Sequence, residues 1–423
     1  MAIPKLALIP STVGGSVYSV LPSNGDGDFD FTRGTIATRI NAQGLIETVA
    51  VGDNRLNYPL IDGVVQGCPS LLLEPSRTNL VTYSEDFSNA AWPKIGITVT
   101  ANNATSPSGY VDADKLIADV GTGNRVVYQA ILPVGVSTVS VYAKAGGFEG
   151  IVIASGNQGG FFNLTTGAYR TEYASAPTAY SITSASNGWY RFSVTFTSAS
   201  VDNLYIGPND NVSTILGITG NGVDGIYAWG AQLEAGSYAT SYIPSLTGSQ
   251  TTRSAETCNN AGDVNTFNDS EGVLMLESNF LSESLSTAVI AISDGTPSNR
   301  IILGYFGGNS QLYCQSIGGV SAPTSMSFTV SDVTLNSKIL IKYKEDDFAF
   351  WVNGFKIAVR NSGTVPSGLS ELAFDSGGGL SNLYGNTKQI QYFTTALNDS
   401  DLETLTSWDS FSDMANGQLY SVE

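Results

Sequence analysis

The chain has 423 residues, 19 Lys and Arg against 37 Asp and Glu, and no histidine, giving a net charge of −18. Without histidine it lacks the usual general base near neutral pH, any Ser-His-Asp or Cys-His arrangement, and the commonest zinc ligand. The acidic balance disfavours nucleic acid and anionic membrane as partners, and with only 13% charged residues the surface must stay soluble through Ser, Thr, Asn and Gly.

Length predicts two or three domains at about 100–200 residues each. The first residues, MAIPKLALIPSTVGG, are apolar, but Pro4 and Pro10 interrupt the run. No secretory signal is expected there, and no stretch reaches the ~20 apolar residues of a membrane span. Residues 1–76 read as an irregular, turn-rich anchoring segment. Within it Asp26, Asp28 and Asp30 alternate as in a calcium loop, but Phe31 and Ala37 stand where an EF-hand needs Gly and Glu, so an acidic turn is expected.

Period-2 alternation then takes over. Residues 125–130, 137–144 and 189–196 alternate β-branched or aromatic residues with small polar ones, and turn clusters such as ATSPSG and TGNGVDG separate them. The fold class is therefore all-β, with an irregular N-terminal anchoring segment followed by two β-sandwich domains. A first jelly roll is predicted over 77–250, a linker over 251–259 in the polar stretch that begins near Ser245, and a second sandwich over 260–423. Helical patterning is rare; the best helix candidate spans 398–405, with Ser400 as its cap. Cys68, Cys258 and Cys314 have no metal spacing and read as thiols, with a single disulfide between two of them as the alternative that sequence does not choose. Gly146-Gly147 and Gly377-Gly378-Gly379 lack a following Gly-Lys-Ser/Thr and read as turns. No cofactor is required by any motif.

Residues 27–39 (GDFDFTRGTIATR), 41–47 (NAQGLIE), Leu72-Leu73-Glu74 and Arg77-Thr78-Asn79-Leu80 resemble the leader and first strand of a module found in tailed-bacteriophage virion proteins, and 225–245 resembles its last strand. The bracket is also similar to carbohydrate-binding jelly rolls, through Asn79, Leu80, Glu85, Asp86, Phe87 and Trp92 at the start and Gln232, Leu233 and Glu234 at the end. That resemblance implies a structural calcium held by oxygen ligands, with Glu85, Asp86 and Glu234 as the candidates. Residues 339–354 and 389–402 resemble a laminin-G or concanavalin-A-like sandwich, in which Asn353-Gly354 suits a type I′ turn.

Aromatic side chains suit sugar rings. Trp189 and Trp351 lie in alternating strands and read as core. Trp229 shares a face with Tyr227 and Leu233, which favours core as well. Tyr238 and Tyr242, in the loop after that strand, are the better exposed candidates, and Tyr238, Tyr242 and Trp229 are the candidate glycan-binding set. The resemblances imply a virion structural protein of the adsorption or decoration apparatus (tail fibre, neck or head fibre, or baseplate appendage), made in the host cytoplasm and released by lysis. Its expected partners are other virion proteins, further copies of itself (a homotrimer foremost) and host-surface glycan, without membrane insertion. The expectation is a non-enzyme. Two alternatives stand beside it: a carboxylate-only glycoside hydrolase acting as a depolymerase, and an architectural virion subunit without a ligand.

Overall fold

The computed structural model describes residues 2–13, 16–212, 216–282, 287–308 and 310–410. The alternating segments become long strands, Val126–Leu132, Gly135–Gly146 and Trp189–Ser198. Together with their neighbours they build a jelly roll of two six-stranded sheets. One sheet runs Lys94–Ile95, Val126–Leu132, Asp202–Asn209, Gly150–Ser155, Gln158–Asn163, Tyr169–Glu172; the other runs Ile97–Thr105, Val111–Ala118, Gly225–Ala235, Gly135–Gly146, Trp189–Ser198, Ala179–Ala185. Their facing sides close on Phe87, Trp92, Val139, Ile153, Phe192 and Leu233, all fully buried. A side chain of this kind contributes roughly 1.5–3 kcal/mol by leaving water, which is why the alternation fixes which face turns inward.

The second sandwich packs a five-stranded sheet, Thr324–Thr329, Gln311–Gly318, Asn299–Phe306, Ala288–Ser293, Glu371–Ala373, on an eleven-stranded one. Its large sheet is assembled from both ends of the chain. Leu6–Val13 pairs with Gly385–Phe393, Phe29–Thr32 pairs with Thr257–Asn259, and Ser70–Leu73 also pairs with Gly385–Phe393. Leu6, Leu8, Phe29, Leu71 and Leu73 accordingly lie in the same core as Ile290, Phe350 and Tyr392. The segment 1–76, irregular by sequence, thus supplies strands to the second sandwich, and the jelly roll is inserted into it. Entry and exit lie side by side, because Arg77–Asn79 pairs with Thr251–Arg253.

That crossing is held by buried charge. Arg33 meets Glu256 at 2.8 Å, Arg55 meets Glu74 at 2.8 Å and also pairs with Glu256, and Arg253 meets Glu74 at 2.8 Å, with every side chain at most 3% exposed. Burial alone would raise the Glu74 carboxyl, but Arg253, Arg55 and the Ser241 hydrogen bonds hold it at about 2. Residues 251–259, a linker by sequence, are here a strand carrying the buried Arg253, then Glu256, then a second strand.

At the far end, Asn353 (φ 47°) and Gly354 (φ 87°) both take the positive φ of a type I′ turn. The helix Asp399–Thr406 is capped by Asn398, which accepts from the Asp401 amide. Asn and Ser are near-equal caps, so composition placed the start two residues late, at Ser400. The three cysteines are unpaired thiols, with Cys258 and Cys314 buried. No helix among the described residues is long and apolar enough to cross a membrane.

Candidate functional site

A broad concavity with both aromatic and acidic walls lies where the N-terminal hairpin meets the jelly roll. The hairpin, Ala37–Ile40 with Ile46–Val49, forms because 41–45 is a tight turn: Asn41 Oδ1 accepts from the Gln43 and Leu45 amides, and Gly44 has φ 76°. Thr38 Oγ1 donates to the Tyr242 carbonyl at 2.5 Å and the Ile46 amide donates to the Pro107 carbonyl at 2.9 Å, fixing the hairpin over the jelly roll. The resulting groove holds about 690 Å³ and is lined by hairpin residues including Ile36, Thr38, Asn41 and Glu47, by Tyr110 and Asp112, and by Glu85, Trp229, Tyr242 and Leu246. A second recess of about 330 Å³ shares Glu85, Asp112 and Leu246 with it and adds Asp86, Asn102 and Asp114.

Trp229 reaches this face through a bulge. Gly230 adopts φ 63° and the pairing of Gly225–Ala235 with Gly135–Gly146 shifts between Ser140 and Tyr142. Before the bulge Ile226 and Ala228 point into the sandwich core; after it Ala231 and Leu233 do. Trp229 therefore faces the opposite side from Leu233, correcting the common face expected of a regular strand. It is 2% exposed and packs on Tyr142 and Tyr242, with ring centroids at 5.5 and 4.7 Å. A Cβ on Gly230 would approach the Tyr142 ring at 3.2 Å.

Tyr242, expected to be exposed, is 2% exposed. The loop after the strand folds back because Ser84 and Ser245 exchange hydrogen bonds, Ser84 N to Ser245 O at 2.8 Å and Ser245 N to Ser84 Oγ at 3.0 Å. The Tyr242 hydroxyl donates to Glu85 Oε1 at 2.9 Å and lies 2.7 Å from Ser84 Oγ. Tyr238 is half-buried below the Arg77 guanidinium, 5.1 Å from its ring centroid, outside the groove lining. Of the three candidate glycan residues, the structure brings Trp229 and Tyr242 together and leaves Tyr238 apart.

Glu85, Asp86 and Glu234 do not converge. Glu234 is fully buried, and its oxygens accept from the Thr240 amide at 2.9 Å, Thr240 Oγ1 at 2.5 Å and Gln232 Nε2 at 2.6 Å. Asp86 Oδ1 caps its own turn, accepting from the Ser88 and Asn89 amides. Among the described residues no group of three or more acidic, Cys or His side chains is placed to hold a metal. The trio expected for calcium does not fit that ion here, because both Glu234 oxygens are taken up by internal hydrogen bonds and the three carboxylates form no common cluster.

Burial pushes the Glu85 carboxyl up to about 7; the Tyr242 hydrogen bond opposes this and the nearby Asp112 charge adds to it. Burial likewise raises Asp114, against hydrogen bonds from the Asn102 and Phe87 amides. Asp112 Oδ2 accepts from Ser108 Oγ at 3.2 Å, while Asp112 Oδ1 and Trp229 Nε1 are buried atoms without a hydrogen-bond partner. Tyr110 stands at the rim with 74% of its surface exposed. Asp112 and Tyr110 are the residues that sequence reading passed over. Nothing local marks them; only the stretches 27–39 and 41–47, singled out by their resemblance, supply the hairpin that lies against this corner.

No family model and no curated protein matches the chain. Among solved structures it is similar to the CBM40 module of the Ruminococcus gnavus IT-sialidase (13% identity, 33% of this chain and 84% of that one, TM-score 0.29). It is similar also to domain 4 of AbnA, a GH43 extracellular arabinanase from Geobacillus stearothermophilus, in complex with arabinotriose (12% identity, 36% and 73%, TM-score 0.31). A third is the leech intramolecular trans-sialidase (12% identity, 34% and 24%, TM-score 0.28). TM-scores of this size assign neither a fold family nor a function to the chain.

Proposed function

We propose that the chain is a non-enzymatic bacteriophage virion protein of the adsorption or decoration apparatus, assembled as a homotrimer, whose jelly roll contacts glycan on the host surface. It docks to neighbouring virion proteins through the folded face built by its N-terminal segment. The observation that carries the glycan part is the groove of about 690 Å³ with an exposed Tyr110 at its rim and Glu85, Asp112 and Asn41 in its walls. Aromatic rings cover the apolar face of a sugar, and carboxylates and amides accept from and donate to its hydroxyls. The virion part rests on the resemblance of residues 27–94 and 225–245. Imaging intact particles by cryo-electron microscopy tests it: the reading stands where the chain is found on the tail or capsid with this groove open to solvent. It falls where the chain is missing from particles, or where both sandwiches are buried against other subunits, which would make the protein purely architectural.

A second reading, a carboxylate-only glycoside hydrolase, is favoured by one feature: Glu85, protonated near neutral pH, shares the groove with Asp112. Release of new reducing ends from capsular or lipopolysaccharide glycan, abolished by Glu85→Gln, would support it over simple binding.

A further inference from the structure

Two walls of the groove differ in what they ask of a ligand. On the acidic side stand Glu47, Glu85 and Asp112, and no Lys or Arg lines the cavity. Glu47 is neutralised by Arg39 at 2.7 Å and accepts a hydrogen bond from Asn41 at 2.9 Å, whereas among the described residues no cation pairs with Glu85 or Asp112. A ligand bearing a carboxylate, sulfate or phosphate would meet the uncompensated charge of Asp112 and no lining cation to pair with.

On the polar side two groups seek opposite partners. Asp112 Oδ1 is an acceptor without a donor, and Trp229 Nε1 is a donor without an acceptor, in a side chain 2% exposed. Indole N–H only donates and a carboxylate only accepts. An ammonium group can serve Asp112 but not Trp229, and an acidic group can serve Trp229 but not Asp112. A hydroxyl both donates and accepts, so a polyhydroxylated ligand answers both with one kind of group. The apolar surface of Tyr110 and Leu246, 74% and 58% exposed, completes the wall against which a sugar ring can lie.

We infer that the groove between the 37–49 hairpin and the jelly roll binds an uncharged, hydroxyl-rich sugar, with Asp112 and Trp229 as polar anchors and Tyr110 as the stacking platform. The inference rests on the glycan reading above and narrows it to one ligand class, at a site shaped jointly by the N-terminal segment and the inserted domain.

The test uses the full chain on a glycan array carrying uncharged and acidic glycans, with lactose and 3′-sialyllactose titrated in solution as a matched pair. The variants are Tyr110→Ala, which alters an exposed side chain, and Trp229→Phe, which removes the N–H and keeps the ring packing. The expected result is binding confined to uncharged glycans, weakened about tenfold or more by each variant, as for loss of one stacking or hydrogen-bonding contact in a binding site. Tighter binding of acidic glycans overturns the inference. So does binding of uncharged glycans that both variants leave unchanged, in which case the chain is still a glycan binder but by another surface. A folded protein that binds nothing on the array overturns the inference and the glycan reading together.

Discussion

Glu85→Gln should make the protein more stable near neutral pH and leave it unchanged in acid. The Glu85 carboxyl titrates near 7 in the folded protein, against 4.5 when free of its surroundings. A folded pKa above the unfolded one means that the folded state holds the proton more tightly. Its contribution is fully present below about pH 4.5 and is lost as pH rises through about 7. At ~1.36 kcal/mol per unit the shift sets a ceiling of about 3 kcal/mol. Because the side chain is only partly buried, solvent screening reduces this to about 1–2 kcal/mol. Gln keeps an oxygen that can accept from Tyr242, so packing and the hydrogen bond survive while the charge is removed. The assay is urea unfolding followed by tryptophan fluorescence between about pH 4 and about pH 8, for both proteins. The difference between the two curves isolates Glu85 from the other titrating groups, including Asp112, Asp86 and Asp114, which both proteins share. Coincident stabilities at acid pH, diverging to about 1–2 kcal/mol in favour of Glu85→Gln above pH 7, are expected. Parallel curves across the whole range would refute the assignment of a desolvated carboxyl at this position.

Glu256→Gln strips one carboxylate from between Arg33 and Arg55 in a fully buried network, and should lower unfolding free energy by about 3–5 kcal/mol because it leaves buried charge uncompensated; a loss under ~1 kcal/mol in urea melts would show that the network is solvated. Gly207→Ala places a Cβ 2.0 Å from the carbonyl of Arg125, the residue just before the neighbouring strand, so a cost of about 1–3 kcal/mol is expected in the same assay, and a neutral result would contradict that close approach.

Local chemistry made the all-β class legible. Alternation in Val126–Leu132 and Trp189–Ser198, and the Asn353-Gly354 pair, each specify their geometry within a few residues. What sequence could not show is pairing across the chain. Leu6 lies opposite Tyr392, and Arg33 finds Glu256; neither leaves a periodic trace. One clue was present: Glu74 directly after three leucines, in a chain with few charges, is costly to bury without a partner, and such an isolated charge points to a buried pair. The candidate site suffered most. A single bulge at Gly230 reversed the faces of one strand, and a two-serine exchange drew Tyr242 inward, so Trp229 and Tyr242 became buried walls of the groove while Tyr238 stayed outside it.

The pairing of Leu6–Val13 with Gly385–Phe393 also orders events during synthesis. The first strand can pair at once with Ser16–Leu21, but it leaves the ribosome some 380 residues before its second neighbour exists, which at ~5–20 residues per second is roughly 20–80 s. The inserted jelly roll draws its own core from residues 81–233 and can close in the meantime. Meanwhile Leu6, Leu8, Phe29 and Leu71 wait without most of the core they pack into. A nascent chain halted before residue 385 should therefore carry one finished domain and one sticky, chaperone-dependent remnant.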